Sequence, residues 1–215
     1  MRKTLLWLAL ASVSGLAHSA ALAQDGPGQH GAEGAPVDPA ALSPKSASSP
    51  TKAVQAKARA ALPHDDGSDE KFANQGFIAS LNDPVIRDGE GKAVWNLEAY
   101  AWMGGDAPAT VNPSLWRHQK LLRKHGLFKL TDRMWQVRGF DLANMTVIQG
   151  DSGWILIDPL TTRETAKAAL DLVNAQLGER PVKAVIYSHS HVDHFGGVRG
   201  VASDQAIASG QLTII

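Results

Sequence analysis

Two short runs, Trp154-Ile155-Leu156-Ile157 and Val182 to Tyr187, the second apolar but for Lys183, constrain this chain more than anything else in it. A continuous apolar run is what a strand buried on both faces requires. Between the runs, Ala166, Ala169, Leu170, Val173 and Leu177 recur at helical spacing, so Thr162 to Leu177 reads as an amphipathic helix that Gly178 terminates. Strand, helix and strand in this order predict a β-α-β unit, and such units place ligands outside the carboxyl ends of their strands. Both ends carry polar chemistry here. The first run stops at Asp158-Pro159, and the second leads into His189-Ser190-His191-Val192-Asp193-His194.

The segments upstream extend the same layer. Met134 to Val137 and Met145 to Ile148 read as strands, with a turn over Gln149 to Gly153. Phe77-Ile78-Ala79 is a short apolar run, and Asp88-Gly89-Glu90-Gly91 between Ile86 and Val94 signals a hairpin. Asn112-Pro113 looks like an N-cap and first helical position; this helix is expected to run to His125 and stop at Gly126, with Leu115, Gln119 and Leu122 on one face. The fold class read from these elements is α/β.

The N-terminus has a different character. Arg2 and Lys3, an apolar stretch from Thr4 to Ala17 and the small-x-small triplet Ala21-Leu22-Ala23 predict a signal peptide over residues 1–23, hence a periplasmic or secreted protein with no membrane span after cleavage. Residues 24–62 read as a disordered Gly, Pro, Ala and Ser linker followed by a short Ala-rich helix over Lys52 to Leu62. Residues 63–215 form the folded part. The formal net charge is zero, so nothing points to nucleic acid.

The histidines carry the chemistry. The chain has eight, of which three fall within six consecutive positions together with an aspartate. With no cysteine in the sequence, a bound metal must be held by imidazole and carboxylate, which suits zinc and its neighbours. In extended chain, residues two apart face the same way, so His189 and His191 can share one ion while Asp193 and His194, at a turn eased by Gly196-Gly197, address a second. Two ions about 3.5–4 Å apart share a water and lower its pKa toward neutral.

His-x-His-x-Asp-His after an apolar strand resembles the signature of the metallo-β-lactamase superfamily, whose fold is an αββα sandwich. Asp158 resembles the aspartate that supports the histidine loop there. Val111-Asn112-Pro113-Ser114-Leu115-Trp116-Arg117, the segment Trp135 to Met145, Gly153-Trp154, Ile157-Asp158-Pro159-Leu160 and His189 through Gly197 are similar to the exported alkyl sulfatases of that superfamily. The resemblance spans roughly Leu62 to Ile215. It implies hydrolysis of alkyl sulfate esters such as dodecyl sulfate to alcohol and sulfate, two zinc ions, and a homodimer at full length. It also implies that residues 63–215 are the truncated N-terminal half of the sandwich, that the remaining metal ligands lie beyond residue 215, and that this polypeptide alone is inactive. Rival readings are another hydrolase of the same fold (a lactamase, lactonase or thioesterase) and a metal-binding remnant without catalysis.

Among other polar residues, Arg138, Asp141 and Asn144 are candidates for contacting substrate or for holding the turn they sit in. An arginine fork fits sulfate. Tyr187 is expected to pack, the tryptophans to form core or rim, and His64, His118 and His125 to be surface or ordinary helix residues.

Overall fold

The computed structural model describes residues 45–61 and 67–215. The expected signal peptide, most of the linker and His64 lie outside the described residues. Apart from Lys45, these belong to one compact unit, Ser46–Ile215. In chain order it holds helices α1 (Ser49–Ala61) and α2 (Ser68–Asn74), strands β1 (Phe77–Ala79), β2 (Val85–Arg87) and β3 (Ala93–Asn96), and helix α3 (Pro113–Leu122). Strands β4 (Gly126–Thr131), β5 (Met134–Arg138), β6 (Met145–Gln149) and β7 (Trp154–Ile157) follow, then α4 (Arg163–Leu177), β8 (Val182–Ile186), α5 (Asp204–Ala208) and β9 (Thr213–Ile214).

The large sheet has the order β1-β4-β5-β6-β7-β8-β9; β2 and β3 pair separately as the expected hairpin. Pairing is antiparallel from β1 to β7 and parallel across β7, β8 and β9. The β-α-β unit is thus present, with Leu156 opposite Val185 and Ile157 opposite Ile186. Helix α4 begins at a capping box in which Thr162 accepts from Thr165, and Gly178 follows its end. Its Ala166, Ala169, Leu172 and Val173 are buried in one cluster with Val137, Met145, Val147, Leu156 and Val185 of the sheet. Trp135 and Trp154 meet edge to face there, 6.0 Å apart. The opposite face of the sheet carries Met134, Ile148, Ile155, Ile157 and Ile186, all half-buried.

Three elements depart from the expectations. Helix α3 is capped by Asn112 as anticipated but ends at Leu122. It buries Pro113 and Trp116, leaving Leu115 and Leu122 exposed. Gly126 is not its stop signal. It opens β4, a strand the sequence pattern did not reveal, at φ 134°, and a Cβ there would lie 2.4 Å from the Ala79 carbonyl oxygen. The glycine therefore serves the close approach of β4 to β1. Helix α1 starts at Ser49, a few residues inside the expected linker.

Because β5 and β6, and β6 and β7, are antiparallel while β7 and β8 are parallel, three connections emerge at one edge of the sheet. These are residues 139–144, 158–162 and 188–197, and they position the site.

Candidate metal centre

The turn after β7 is unusual backbone. Asp158 (φ 57°) and Leu160 (φ 63°) are non-glycine residues in the left-handed region, on either side of Pro159. Such conformations persist only where surroundings over-determine them. Here Asp158 is buried and its carboxylate accepts from the Ser188 amide (2.8 Å) and from Ser188 Oγ (2.7 Å), and its Oδ2 lies 2.8 Å from His194 Nδ1. Burial, the largest single influence, would raise its pKa; the Ser188 amide, His194 and the Ser188 hydroxyl together outweigh it and hold the carboxyl below its ordinary value.

An ionised Asp158 only accepts, so the Nδ1 of His194 is its protonated nitrogen and Nε2 keeps its lone pair. The same logic passes through Ser188. Its hydroxyl proton goes to Asp158, so its oxygen accepts from His189 Nδ1, 2.9 Å away, and leaves Nε2 of His189 unprotonated. One carboxylate thus sets the tautomers of two histidines. The bare Nε2 of His189 stands 3.1 Å from Nδ1 of His191, and the bare Nε2 of His194 stands 3.3 Å from Oδ2 of Asp193. The His189 ring centre is 4.7 Å from that of His191 and 4.0 Å from that of His194.

These donors fit zinc in kind and spacing. Two ligands sharing a tetrahedral zinc at about 2.0–2.1 Å stand roughly 3.3 Å apart. Each pair offers one such edge. Among the described residues no group of three or more His, Cys, Asp or Glu side chains is arranged to hold an ion; the donors come as two pairs.

The histidine loop is seated by close backbone contact. A Cβ on Gly196 would lie 2.3 Å from the Thr161 carbonyl oxygen, and one on Gly197 would lie 2.2 Å from that of Pro159. The Gly197 amide donates to the Leu160 carbonyl at 2.8 Å. Neither glycine has a positive φ, so close approach, rather than the tight turn also expected of them, is what excludes a side chain.

The remaining candidates are dispersed. Arg138 ends β5, stacks over the Phe128 ring at 4.4 Å and donates to Gln136 Oε1 at 2.8 Å. Asn144 is exposed in the 139–144 connection. Asp141 holds that turn: its buried carboxylate accepts from the Thr161 amide (3.0 Å), the Thr165 hydroxyl (2.8 Å) and the Thr161 hydroxyl. Tyr187 packs on Phe195 as expected. His118 is exposed in α3, but His125 is neither surface nor helical. It is half-buried, its Nδ1 lies 2.7 Å from Ser80 Oγ, and burial lowers its pKa, with Glu98 acting in the opposite direction and Arg123 in the same one. Ser188, which conveys the effect of Asp158 to His189, went unremarked in the sequence; its place between strand end and first histidine was the available signal.

Sheet, turn and histidine loop define the class first. Residues 138–210 match the Metallo-beta-lactamase superfamily. Within that class the chain is a relative of the alkylsulfatases. It is 45% identical over 81% of its length to a linear primary-alkylsulfatase of Pseudomonas sp, and 45% over 80% to an (R)-specific secondary-alkylsulfatase of Pseudomonas sp. The alkyl/aryl-sulfatase BDS1 of Saccharomyces cerevisiae is 46% identical over 72% of the chain. The solved structure of the stereoselective inverting sec-alkylsulfatase Pisa1 from Pseudomonas sp. superposes with a TM-score of 0.74 at 46% identity, covering 79% of this chain and 27% of that one. The chain spans about a quarter of the length of these curated relatives, 26%, 24% and 26% respectively in the order primary, yeast and secondary enzyme.

Proposed function

We propose that the protein to which this chain belongs hydrolyses alkyl sulfate esters to alcohol and sulfate with two zinc ions, and that His189 with His191, and Asp193 with His194, each contribute a ligand pair. The observation that carries the reading is the hydrogen-bond chain from Asp158, which leaves unprotonated nitrogens in both pairs at ligand spacing. The alkylsulfatase relatives supply the substrate class. Zinc, when bound, supplies Lewis acidity that activates water and offsets the charge of the sulfate group. The chain's own residues hold and orient: Asp158 keeps His194 and His189 in the right tautomer, and the glycine seat fixes the loop. We assign the further donors each ion requires to residues outside 1–215.

Inversion in the solved relative requires cleavage at the carbon–oxygen bond in that enzyme, because only there does the stereocentre change; we propose the same bond here. Residues 1–23 are proposed as a signal for export. Among the described residues no helix is long and apolar enough to cross a membrane.

The test is zinc-dependent release of sulfate from dodecyl sulfate by the protein at its natural length, abolished by His191→Ala. Hydrolysis of a chromogenic cephalosporin without sulfate release would instead favour a lactamase. For residues 1–215 taken alone we propose no turnover, because the donors come as two pairs where a catalytic zinc takes about three protein ligands; full activity of that polypeptide would refute this.

A further inference from the structure

A cleft of about 390 Å³ opens beside the 139–144 connection, and nothing in the ligand pairs uses it. Its apolar lining comes from Trp95, Leu97, Tyr100, Met103, Leu122 and Leu142. Its size lies toward the small end of small-molecule sites, which span roughly 300–1,000 Å³. Three of these residues are left in solvent although they are large and apolar: Tyr100 is 60% exposed, Leu122 56% and Leu142 76%. An apolar hollow with an apolar rim takes an apolar ligand.

Its location links it to the histidine loop. Asp141, in the cleft wall, binds Thr161 and Thr165. The Thr161 carbonyl is in turn the oxygen on which Gly196 is seated. The wall is held in place by Trp95 Nε1, which donates to the Gly139 carbonyl (3.0 Å), and by Arg123, whose guanidinium donates to the Met103 carbonyl. Cleft and ligand pairs therefore share one backing, the β7–α4 turn.

We propose that this cleft receives the hydrocarbon tail of the sulfate ester, with Leu122 and Leu142 as the residues that set tail-length preference. The proposal rests on the sulfatase reading for its ligand. An alkyl tail suits the lining. Of the ionisable groups in the wall, Asp141 is taken up by the threonines, Arg123 donates to the Met103 carbonyl and His125 lies against Ser80.

The probe is a series of linear 1-alkanesulfonates from six to twelve carbons, which carry a carbon–sulfur bond that hydrolysis of the ester does not break. Binding is measured by calorimetry below micellar concentrations, on the protein at its natural length. Each methylene buried in the cleft is expected to tighten binding by up to about fourfold. Leu142→Ser and Leu122→Ser are both surface changes and should each flatten that dependence. Leu115→Ser, equally exposed on α3 but outside the cleft, should leave it unchanged. A chain-length dependence absent from the parent, or identical in parent and both rim variants, overturns the proposal. So does a loss of thermal stability in both variants without any change in tail dependence, which would mean that another part of a longer polypeptide covers the rim. Tail-dependent binding without sulfate release from the matching esters would refute the sulfatase reading and leave the cleft assignment standing; sulfate release with an untouched tail dependence would do the reverse.

Discussion

Replacing Asp158 separates what holds the loop from what prepares it for metal. Asp158→Ala removes the acceptor for the Ser188 amide, a part-buried hydrogen bond whose loss costs about 1–3 kcal/mol. It frees His194 Nδ1 to turn toward water, a loss of about 1 kcal/mol. It also places alanine at φ 57°, where a side chain without its own local hydrogen bonds costs about 1–2 kcal/mol. The sum is roughly 3–6 kcal/mol, readable as a shifted midpoint in urea unfolding. Asp158→Asn is gentler. Asparagine tolerates the left-handed region and its carbonyl still accepts from Ser188, so the stability loss should be about 1–2 kcal/mol. Its amide NH₂, however, faces His194 Nδ1 as a donor and favours the tautomer protonated at Nε2. That nitrogen then has no lone pair for metal, and zinc affinity should fall about 10–100-fold. Competition with a chromophoric chelator measures the affinity, and ¹⁵N shifts of the imidazole report the tautomer. Equal zinc affinity in Asp158→Asn and parent, or an unprotonated Nδ1 on His194 in the parent, would refute the reasoning.

Gly197→Ala should destabilise by about 3 kcal/mol or more in the same unfolding assay, since the added methyl meets the backbone oxygens of Pro159 and Thr162 at 2.2 and 2.6 Å, neither of which can swing aside. Stability should also fall as pH drops below about 6.5: the half-buried His125 resists a proton that the unfolded chain accepts, so its contribution is complete above the unfolded pKa and is lost as pH falls through the lower folded value. His125→Asn should flatten that part of the profile, and an unchanged slope would assign it to other groups. Turnover of an alkyl sulfate in ¹⁸O-water should place the label in the alcohol, as read by mass spectrometry; label in the sulfate would mean cleavage at sulfur.

The proposed site was legible in the sequence because its candidate ligands are local. Six consecutive residues hold both pairs, and a neighbouring apolar strand says where they sit. Asp158 was legible only as the end of a strand, whereas its reach over 30 and 36 residues to Ser188 and His194 is tertiary. Strand β4 escaped notice because Gly126 follows a helix and looks like its terminator, while its real role depends on Ala79, a partner distant in sequence. Which face of α3 is buried was not readable for a related reason. Periodicity favoured Leu115 and Leu122, but the structure turns Trp116 inward, where it meets Trp102 edge to face at 5.9 Å and donates to the Gly105 carbonyl.

The seating of Gly196 and Gly197 on the carbonyls of residues 159–162 bears on how such a centre could be moved to another scaffold. Grafting the six-residue motif onto a foreign strand end would carry the imidazoles without the surface that shapes their loop or the carboxylate that sets their protons. The smallest transplantable part is a two-piece cassette, 158–166 and 188–200, cut from two strands and rejoined at their original spacing. A designer who preserves that pair of segments, with Asp141 to hold Thr161, keeps the seat of the loop; one who copies only the motif has its letters without their arrangement.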